Sequence, residues 1–252
     1  MNQKKVLKSL FLTFALSCSL LTGCANTSNT SSTTSKVSEE KTAEVKKKTK
    51  SDKNKKAADK LLTNLNGTYQ ELWPVILSEE YNQLWLDDSA AIVGQANAQA
   101  AVDKMSSMVT GSVTGQEAVD AYKDGNMAYD CDFLQGVSQF TFDGTKISGA
   151  DENGNEVFKH SYHYVGMEKT RGLYIYKSDD KDSGEFTYFC IAPDTMKTTW
   201  HIEFRYGSDL DALKKYDEGN YAYWLAAGIS VDYTQEDIEN CIQLFCKENL
   251  SE

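Results

Sequence analysis

The chain has 252 residues, with 26 basic and 37 acidic side chains and a formal net charge of −11. A sequence in which 25% of the residues are charged is not a multi-span membrane protein. Its acidity also argues against nucleic-acid binding, because phosphate contacts need clustered Lys and Arg. The 40% hydrophobic and 11% aromatic residues are enough to bury a core, which argues against full disorder.

The charge is unevenly distributed along the chain. Residues 1–23 carry three lysines and no acids, residues 24–60 have a net charge of +5, and residues 61–252 have a net charge of −19. The sequence therefore predicts a basic N-terminal segment that holds a strongly acidic body.

The N-terminus has the pattern of a signal peptide. Three lysines precede an apolar run, Leu10 to Leu21, which is shorter than the roughly 20 residues of a membrane-spanning helix. The following Gly23-Cys24 step resembles the lipobox of bacterial lipoproteins. That resemblance implies removal of residues 1–23, lipidation of Cys24 and anchoring on the outer face of the cytoplasmic membrane. An ordinary signal peptide with an incidental cysteine is the alternative.

Residues 24–60 are rich in Ser, Thr and Lys and contain almost nothing that can be buried. This composition is typical of a flexible tether. We therefore predict a disordered tether over residues 24–60 and a folded domain over residues 61–252, although Ala57 to Leu65 has the composition of a short helix.

Helices are expected at both ends of the folded part. Tyr69 to Trp85 has a helical apolar stripe interrupted near Pro74, and Ala90 to Met108 is rich in alanine. Thr114 to Glu117 is typical of a helix start, and so is Thr234 to Asp237 near the C-terminus.

Strands are expected between these helices. Val137 to Phe142 alternates in hydropathy and is followed by the turn signal Asp143-Gly144. Four further segments rich in Tyr, Phe and Ile have the pattern of strands: Val157 to Val165, Gly172 to Lys177, Phe186 to Ile191 and Thr199 to Tyr206. Successive strands joined by short turns predict the α+β class, with an antiparallel sheet that curls into a β-barrel flanked by helices.

Four cysteines remain in the body after those of the N-terminal segment, namely Cys131, Cys190, Cys241 and Cys246. The extracytoplasmic compartment that the N-terminal signal predicts permits disulfides. The chain has no Cys-x-x-Cys pair, so the cysteines suggest neither a zinc ribbon nor a redox site. Cys241 and Cys246 fall on different faces of the last predicted helix, so a bond between them is geometrically poor. Free buried thiols and one long-range disulfide both remain open.

Sequence motifs for catalysis are absent. The chain has no Gly-x-Ser-x-Gly, His-Glu-x-x-His or phosphate-binding loop, and it has only three histidines. We therefore expect a binding protein and not an enzyme.

One short segment can bind a metal ion. On a strand, His201 and Glu203 point to the same face because side chains alternate. An imidazole and a carboxylate so placed can both bond to one divalent ion. A polar pair without metal at the mouth of a barrel is the alternative.

Four stretches resemble the ZinT-type domain, a lipocalin-like (calycin) zinc-binding domain that also forms the C-terminal part of AdcA-type zinc lipoproteins. The stretches share their order and spacing with that family: Leu65 to Pro74, Tyr162 to Gly166, Phe186 to Pro193, and His201 to Gly207 followed by Leu210 to Leu213. The resemblance covers residues 65–252. It implies a lipocalin-like barrel, zinc as the bound ion, a role in metal uptake or homeostasis, and a metal ABC transporter or its binding protein as partner.

The sequence departs from that family at the metal ligands. The family binds zinc with three histidines, of which only His201 is kept, while Glu203 replaces the second and Phe189-Cys190 stand where the third is expected. A third ligand then has to come from His163, His160 or Cys190, and we predict His163 alongside His201 and Glu203. The carboxylate shifts preference toward harder ions such as manganese or calcium.

Two functions follow from these observations. The first is capture of zinc, or of another divalent ion, by a membrane-anchored protein through a reduced site. The second is a degenerate family member without metal, which binds a small organic ligand or a protein partner in the barrel. Aromatic side chains such as Tyr162, Tyr176 and Tyr188 are candidates to line such a pocket, or they form the barrel core.

Overall fold

Eight β-strands pair in chain order into a closed antiparallel barrel. The computed structural model describes residues 52–109, 113–125 and 129–251. The strands are β1 (Gly67–Glu71), β2 (Gln139–Asp143), β3 (Lys146–Ala150), β4 (Glu156–Met167), β5 (Tyr174–Ser178), β6 (Tyr188–Ile191), β7 (Ile202–Gly207) and β8 (Ala226–Ser230). The barrel closes where β1 pairs with β8. The predicted α+β class and the up-and-down, lipocalin-like barrel flanked by helices are thereby confirmed.

Helices lie at both ends of the described part of the chain, in the long connection between β1 and β2, and in the connection between β7 and β8. Residues 52–64 form α1. The others are α2 (Leu72–Ile76), α3 (Asn82–Val93), α4 (Ala98–Val109), α5 (Gln116–Lys123), α6 (Leu210–Leu213) and α7 (Gln235–Leu250). Short 3-10 turns lie at Glu79–Tyr81 and Gly184–Phe186. The predicted C-terminal helix begins as expected, because Thr234 and Asp237 form a capping box at its start.

Aromatic side chains fill the interior of the barrel. Phe140 is fully buried, and its ring centroid lies 4.8–6.0 Å from those of five neighbouring rings. Tyr162 and Tyr176 belong to this core and do not line an open pocket. Of the two alternatives for these aromatic side chains, the structure therefore shows the barrel core and not a ligand pocket among the described residues.

A second apolar layer lies outside the barrel. Side chains from α2, α3, α4 and α7 pack with Ala227 and Ile229 on the outer face of β8. The adjacent strand β7 is buried on both faces as a consequence. Polar residues on its outer face must therefore find their partners inside the protein.

Some boundaries differ from the sequence-based prediction. Tyr69 was predicted to begin a helix, but it lies in β1, where its ring packs edge-on against Phe142 at 5.7 Å. The alanine-rich segment is two helices, because Gly94 adopts a positive φ of 82° and ends α3. Strands β1, β3 and β8 were not predicted. The turn signal Asp143-Gly144 indicated a partner strand after β2, but the pairing of β1 with β8 is a long-range contact with no local sequence signal.

The folded part begins before residue 61. Residues 52–60 are helical, Ala58 is fully buried, and the Tyr176 hydroxyl donates a hydrogen bond of 2.8 Å to the Ala58 carbonyl. Residues 52–60 therefore belong to the barrel domain and not to the predicted tether. The signal peptide over 1–23, Cys24 and the rest of the tether lie outside the described residues. Within the described part, no helix combines the length and the apolar character needed to cross a membrane.

Shortening the chain tests the role of α1. We expect a chain that begins at residue 61 to be less stable than one that begins at residue 25, by about 1–3 kcal/mol, because the buried Tyr176 hydroxyl loses its acceptor. Urea unfolding of both chains measures the difference. The exposed Lys55→Ala variant, which loses only an ion pair of 2.9 Å with Asp59, should stay within about 0.5 kcal/mol of the parent. Equal stability of the two chains would contradict a structural role for α1.

Truncation of a core ring tests the packing of the barrel. Phe140→Ala should lower the free energy of unfolding by about 3–5 kcal/mol, since it leaves a cavity among rings that cannot all relax. Chemical denaturation provides the measurement. Val157→Ala, at an exposed position of β4, is the matched control and should change stability little. A loss below about 1 kcal/mol at Phe140 would mean that the interior is loosely packed.

Candidate functional site

The alternation along β7 separates its side chains into two environments. Ile202 and Phe204 point into the barrel core. His201 immediately precedes the strand, and together with Glu203 it lies on the opposite face, beneath α7. Both are almost completely buried, with 4% and 5% of their surface exposed.

The ring of His201 is held on both sides. Its Nδ1 lies 2.7 Å from the Thr199 carbonyl oxygen, to which it donates, and the ring packs against Phe245 with centroids 5.0 Å apart. The Cys241 sulfur lies 3.9 Å from the same nitrogen. The carbonyl contact fixes the orientation of the ring and directs Nε2 at Glu203, whose Oε1 is 3.6 Å away.

Helix α7 covers this pair with one face. Cys241, Phe245 and Glu248 follow at the i, i+4, i+7 spacing that places them on the same side of a helix. Phe245 contacts the imidazole, and Glu248 is close enough to interact with His201 and Glu203 electrostatically. The helix therefore contributes both an apolar cover and a second carboxylate.

Negative charges meet at this site. Burial and the charge of Glu203 raise the pKa of Asp194 to about 6, against the lowering effect of His201. Burial also raises the pKa of Glu248, which His201 lowers and Glu203 raises. For His201, burial disfavours the imidazolium, but Cys241 and Glu203 together raise its pKa well above the ordinary value. A positive charge at His201 is thus strongly favoured by its surroundings.

A cavity of about 70 Å³ adjoins Glu203, between the outer wall of the barrel and the helices. Its apolar walls come from Trp73, Trp85, Met105, Met108 and Phe245, and its polar walls from Cys131, Arg171, Glu203, Tyr216 and Asn249. The Arg171 guanidinium lies over the Tyr216 ring at 3.9 Å.

A buried arginine stabilises the chain on one side of the cavity. Arg205, on the outer face of β7 like Glu203, donates hydrogen bonds to the backbone carbonyls of Leu213, Lys215 and Tyr221. Its guanidinium also lies 5.6 Å from the Tyr216 ring. The connection between β7 and β8 is thereby held beside the cavity.

His163 does not join the other predicted ligands. It lies on the exposed outer face of β4, where its Nδ1 is 2.6 Å from Asp179 Oδ1. The prediction of His163 as a third ligand is therefore wrong for this arrangement, because β5 and β6 lie between its strand, β4, and the strand β7 that carries Glu203. His160 pairs with Asp180 at 2.7 Å. Cys190 is buried opposite Arg205 in the register of β6 and β7.

All four cysteines of the described domain are free thiols, so the long-range disulfide left open by the sequence is not formed. Among residues 52–109, 113–125 and 129–251, no three His, Cys, Asp or Glu side chains are arranged to bind one metal ion. His201 and Glu203 supply two donors, fewer than the three protein ligands of an open zinc site and the four of a closed tetrahedral one, so an ion held here would need further ligands.

Several polar groups of the site were not singled out from the sequence. Asp194 directly follows the Ile191-Ala192-Pro193 segment, so its place in the sequence could have identified it as a residue near the site. Glu248 and Arg171 gave none, since α7 and the loop between β4 and β5 reach Glu203 only in the folded chain.

Comparisons with known proteins concern the fold. No protein-family model and no curated protein matches the sequence. Similar solved structures include the Zn(II)-bound ZinT-like domain of Streptococcus pneumoniae AdcA, with a TM-score of 0.44, 16% identity, and coverage of 72% of this chain and 89% of that chain. Another is Zn(II)-bound AdcA from Streptococcus pneumoniae, with a TM-score of 0.40, 15% identity, and coverage of 76% and 35%. At such similarity the site has to be judged on its own geometry.

The raised pKa of His201 predicts how stability depends on pH. The native state retains a proton at His201 that the unfolded chain releases near pH 6.5, so this contribution to stability is full below pH 6.5 and is lost as pH rises through the folded pKa. With metal ions removed by chelator, we expect the free energy of unfolding to fall between pH 6.5 and 8.5, by at most about 1.4 kcal/mol per pH unit from this group. Urea unfolding at several pH values measures the slope, which should be smaller in His201→Gln. The same slope in both proteins would contradict the raised pKa.

Proposed function

We propose that this protein is a lipid-anchored, extracytoplasmic binding protein which holds one divalent metal ion, preferably zinc, at His201 and Glu203. One observation carries the proposal. The His201 ring is oriented through Nδ1 by a backbone carbonyl, while its Nε2 faces a buried carboxylate at 3.6 Å. Metal-bound histidines characteristically have their second nitrogen fixed in this way.

The distance between the two groups suits a shared ion better than a direct bond. A separation of 3.6 Å is too long for a hydrogen bond. It lies within the span of two ligands that each bond to one zinc ion at about 2.0–2.2 Å. In the absence of an ion, the proton of His201 supplies the positive charge at this place, and a metal ion would displace it.

The surrounding charges favour a cation. Glu203 is buried, Asp194 is partly buried and Glu248 is the most exposed of the three carboxylates. Desolvation and the charge of Glu203 raise the pKa values of both Asp194 and Glu248. A divalent ion would relieve this repulsion. Either carboxylate is a candidate for a further ligand once the ion is present.

The donor types rank the possible ions. Calcium prefers sites in which all ligand atoms are oxygen, so the imidazole of His201 favours zinc over calcium. The general affinity order of divalent ions places zinc above manganese. The site leaves coordination positions open, which suits an ion that is captured and passed on more than one that is held for structure.

The N-terminal sequence extends the proposal to location and partner. Cys24 would carry the lipid, and residues 25–51 would give the domain reach from the outer face of the cytoplasmic membrane. An ABC transporter for metal ions, or its binding protein, is the proposed recipient. No enzyme activity and no nucleic acid are part of this proposal.

The alternative function, binding of a small organic molecule without metal, now has a different location. The cavity beside Glu203, and not the packed barrel interior, is the place where such a ligand would fit.

Calorimetry on the mature chain without residues 1–24 tests the metal site. After treatment with chelator, we expect one equivalent of zinc to bind, more tightly than manganese and much more tightly than calcium. His201→Ala should weaken zinc binding by at least the roughly 10–100-fold that loss of a second-shell partner costs. Titrations in buffers of different ionisation enthalpy should show release of a proton on binding.

Matched variants make the result specific. Glu203→Gln should also weaken zinc binding, whereas His163→Ala should bind zinc as the parent does, because His163 lies on the exposed face of β4. If zinc binding is absent, or is lost only in His163→Ala, the proposed site is wrong.

A further inference from the structure

Two buried hydrogen-bond donors on residues of the cavity wall lack an oxygen or nitrogen acceptor in the described part of the chain. They are Nε1 of Trp73, a residue only 7% exposed, and Nε of Arg171. The polar group beside Trp73 is the Cys131 thiol, which is a weak acceptor at best. Buried donors without acceptors are costly and therefore rare. Their presence on one cavity points to a ligand that brings acceptor atoms.

The other residues that line the cavity indicate the chemistry and the size of the rest of that ligand. Trp85, Met105, Met108 and Phe245 present apolar surface. The cavity of about 70 Å³ has room for roughly five waters at 10–15 Å³ each, so the ligand is a small molecule. An apolar body with an oxygen-bearing end matches these walls, and the Arg171 cation favours a carboxylate as that end.

Glu203 lies on the same cavity and would repel a carboxylate. The repulsion disappears if a cation lies between the two groups, and His201 with Glu203 offers two ligands and open positions for it. An organic cation alone would satisfy Glu203 but would be repelled by Arg171 and would leave both donors without acceptors. The two charges on the cavity are therefore best matched by an ion and an organic anion together.

We infer that the cargo of this site is a divalent metal ion chelated by a small organic anion, with the ion on His201 and Glu203 and the anion in the adjoining cavity. This inference rests on the proposed metal site. The carboxylate would accept hydrogen bonds from Trp73 and Arg171, and the apolar body would lie between Trp85 and Phe245. The chelator would complete the coordination that two protein ligands leave open.

Picolinate and nicotinate provide a matched pair of probes for the mature chain. They have the same charge, size and ring, but only picolinate places its nitrogen next to the carboxylate and can chelate. We expect zinc-loaded protein at fixed free zinc to bind picolinate about tenfold or more tightly than nicotinate, measured by calorimetry and by quenching of tryptophan fluorescence. By reciprocity, picolinate should raise the affinity for zinc by the same factor as zinc raises the affinity for picolinate.

Variants separate the anion from the ion. Trp73→Phe and Arg171→Gln should each weaken picolinate binding by about tenfold or more, as expected for loss of a hydrogen bond to a charged group. Neither should weaken binding of zinc alone, since Arg171→Gln removes a positive charge from the neighbourhood of Glu203. Lys169→Gln is the control, since it removes a positive charge from an exposed position of the same loop.

The outcomes distinguish the two proposals. Zinc binding with equal affinity for picolinate and nicotinate would overturn the chelate and leave the metal site standing. Picolinate binding that is equally tight without zinc would overturn the chelate in favour of an organic anion. Failure of zinc to bind with or without picolinate would overturn both proposals. Zinc binding that appears only with picolinate would support the chelate.

Discussion

The outer face of β7 is buried, and this constraint shapes the functional region of the protein. Helices and the connection between β7 and β8 cover a strand face that carries Glu203 and Arg205, with His201 just before it. Charged groups in such a place must be paired or neutralised. Arg205 meets this requirement through backbone carbonyls, whereas Glu203 meets it through His201 and through whatever occupies the neighbouring cavity.

Arg205 and the pair formed by His201 and Glu203 therefore have different roles. Arg205 has fixed partners on the chain and holds the connection that carries Tyr216. The pair of His201 and Glu203 is separated by more than a hydrogen bond and adjoins unfilled space. A buried charge that is hydrogen-bonded to the backbone stabilises one conformation, but a pair with open space and nearby carboxylates is suited to exchange a proton for another cation. On this one strand, the charge of Arg205 thus stabilises the fold, whereas the charge of Glu203 belongs to the proposed binding site.

The position of the site outside the barrel has a physical cause. Rings from six of the eight strands fill the interior, so a ligand there would have to displace aromatic packing. The helical layer, in contrast, meets the barrel wall along a curved surface and leaves a gap beside β7. Both proposed ligands, the ion and its organic anion, lie in this gap because it is where buried charge and free volume coincide.

The sequence by itself determined the class of fold, most of the strands from β2 to β7, the start of α7, and the pairing of His201 with Glu203. Each of these depends on local patterns: alternation along a strand, turn residues and a capping box. The same alternation places His163 on the outer face of β4, as it places Glu203 on the outer face of β7, so it did not exclude His163 as a ligand. The two strands between β4 and β7 keep the residues apart.

Only the tertiary structure decided which residues surround the site. The closure of β1 on β8, the burial of residues 52–60 against the barrel, and the approach of Glu248, Asp194 and Arg171 to Glu203 join positions far apart in the chain. Such contacts result from packing of the helical layer on the barrel, and no local property of the sequence encodes them. Whether a polar residue on β7 faces water or a buried cavity follows from that packing alone.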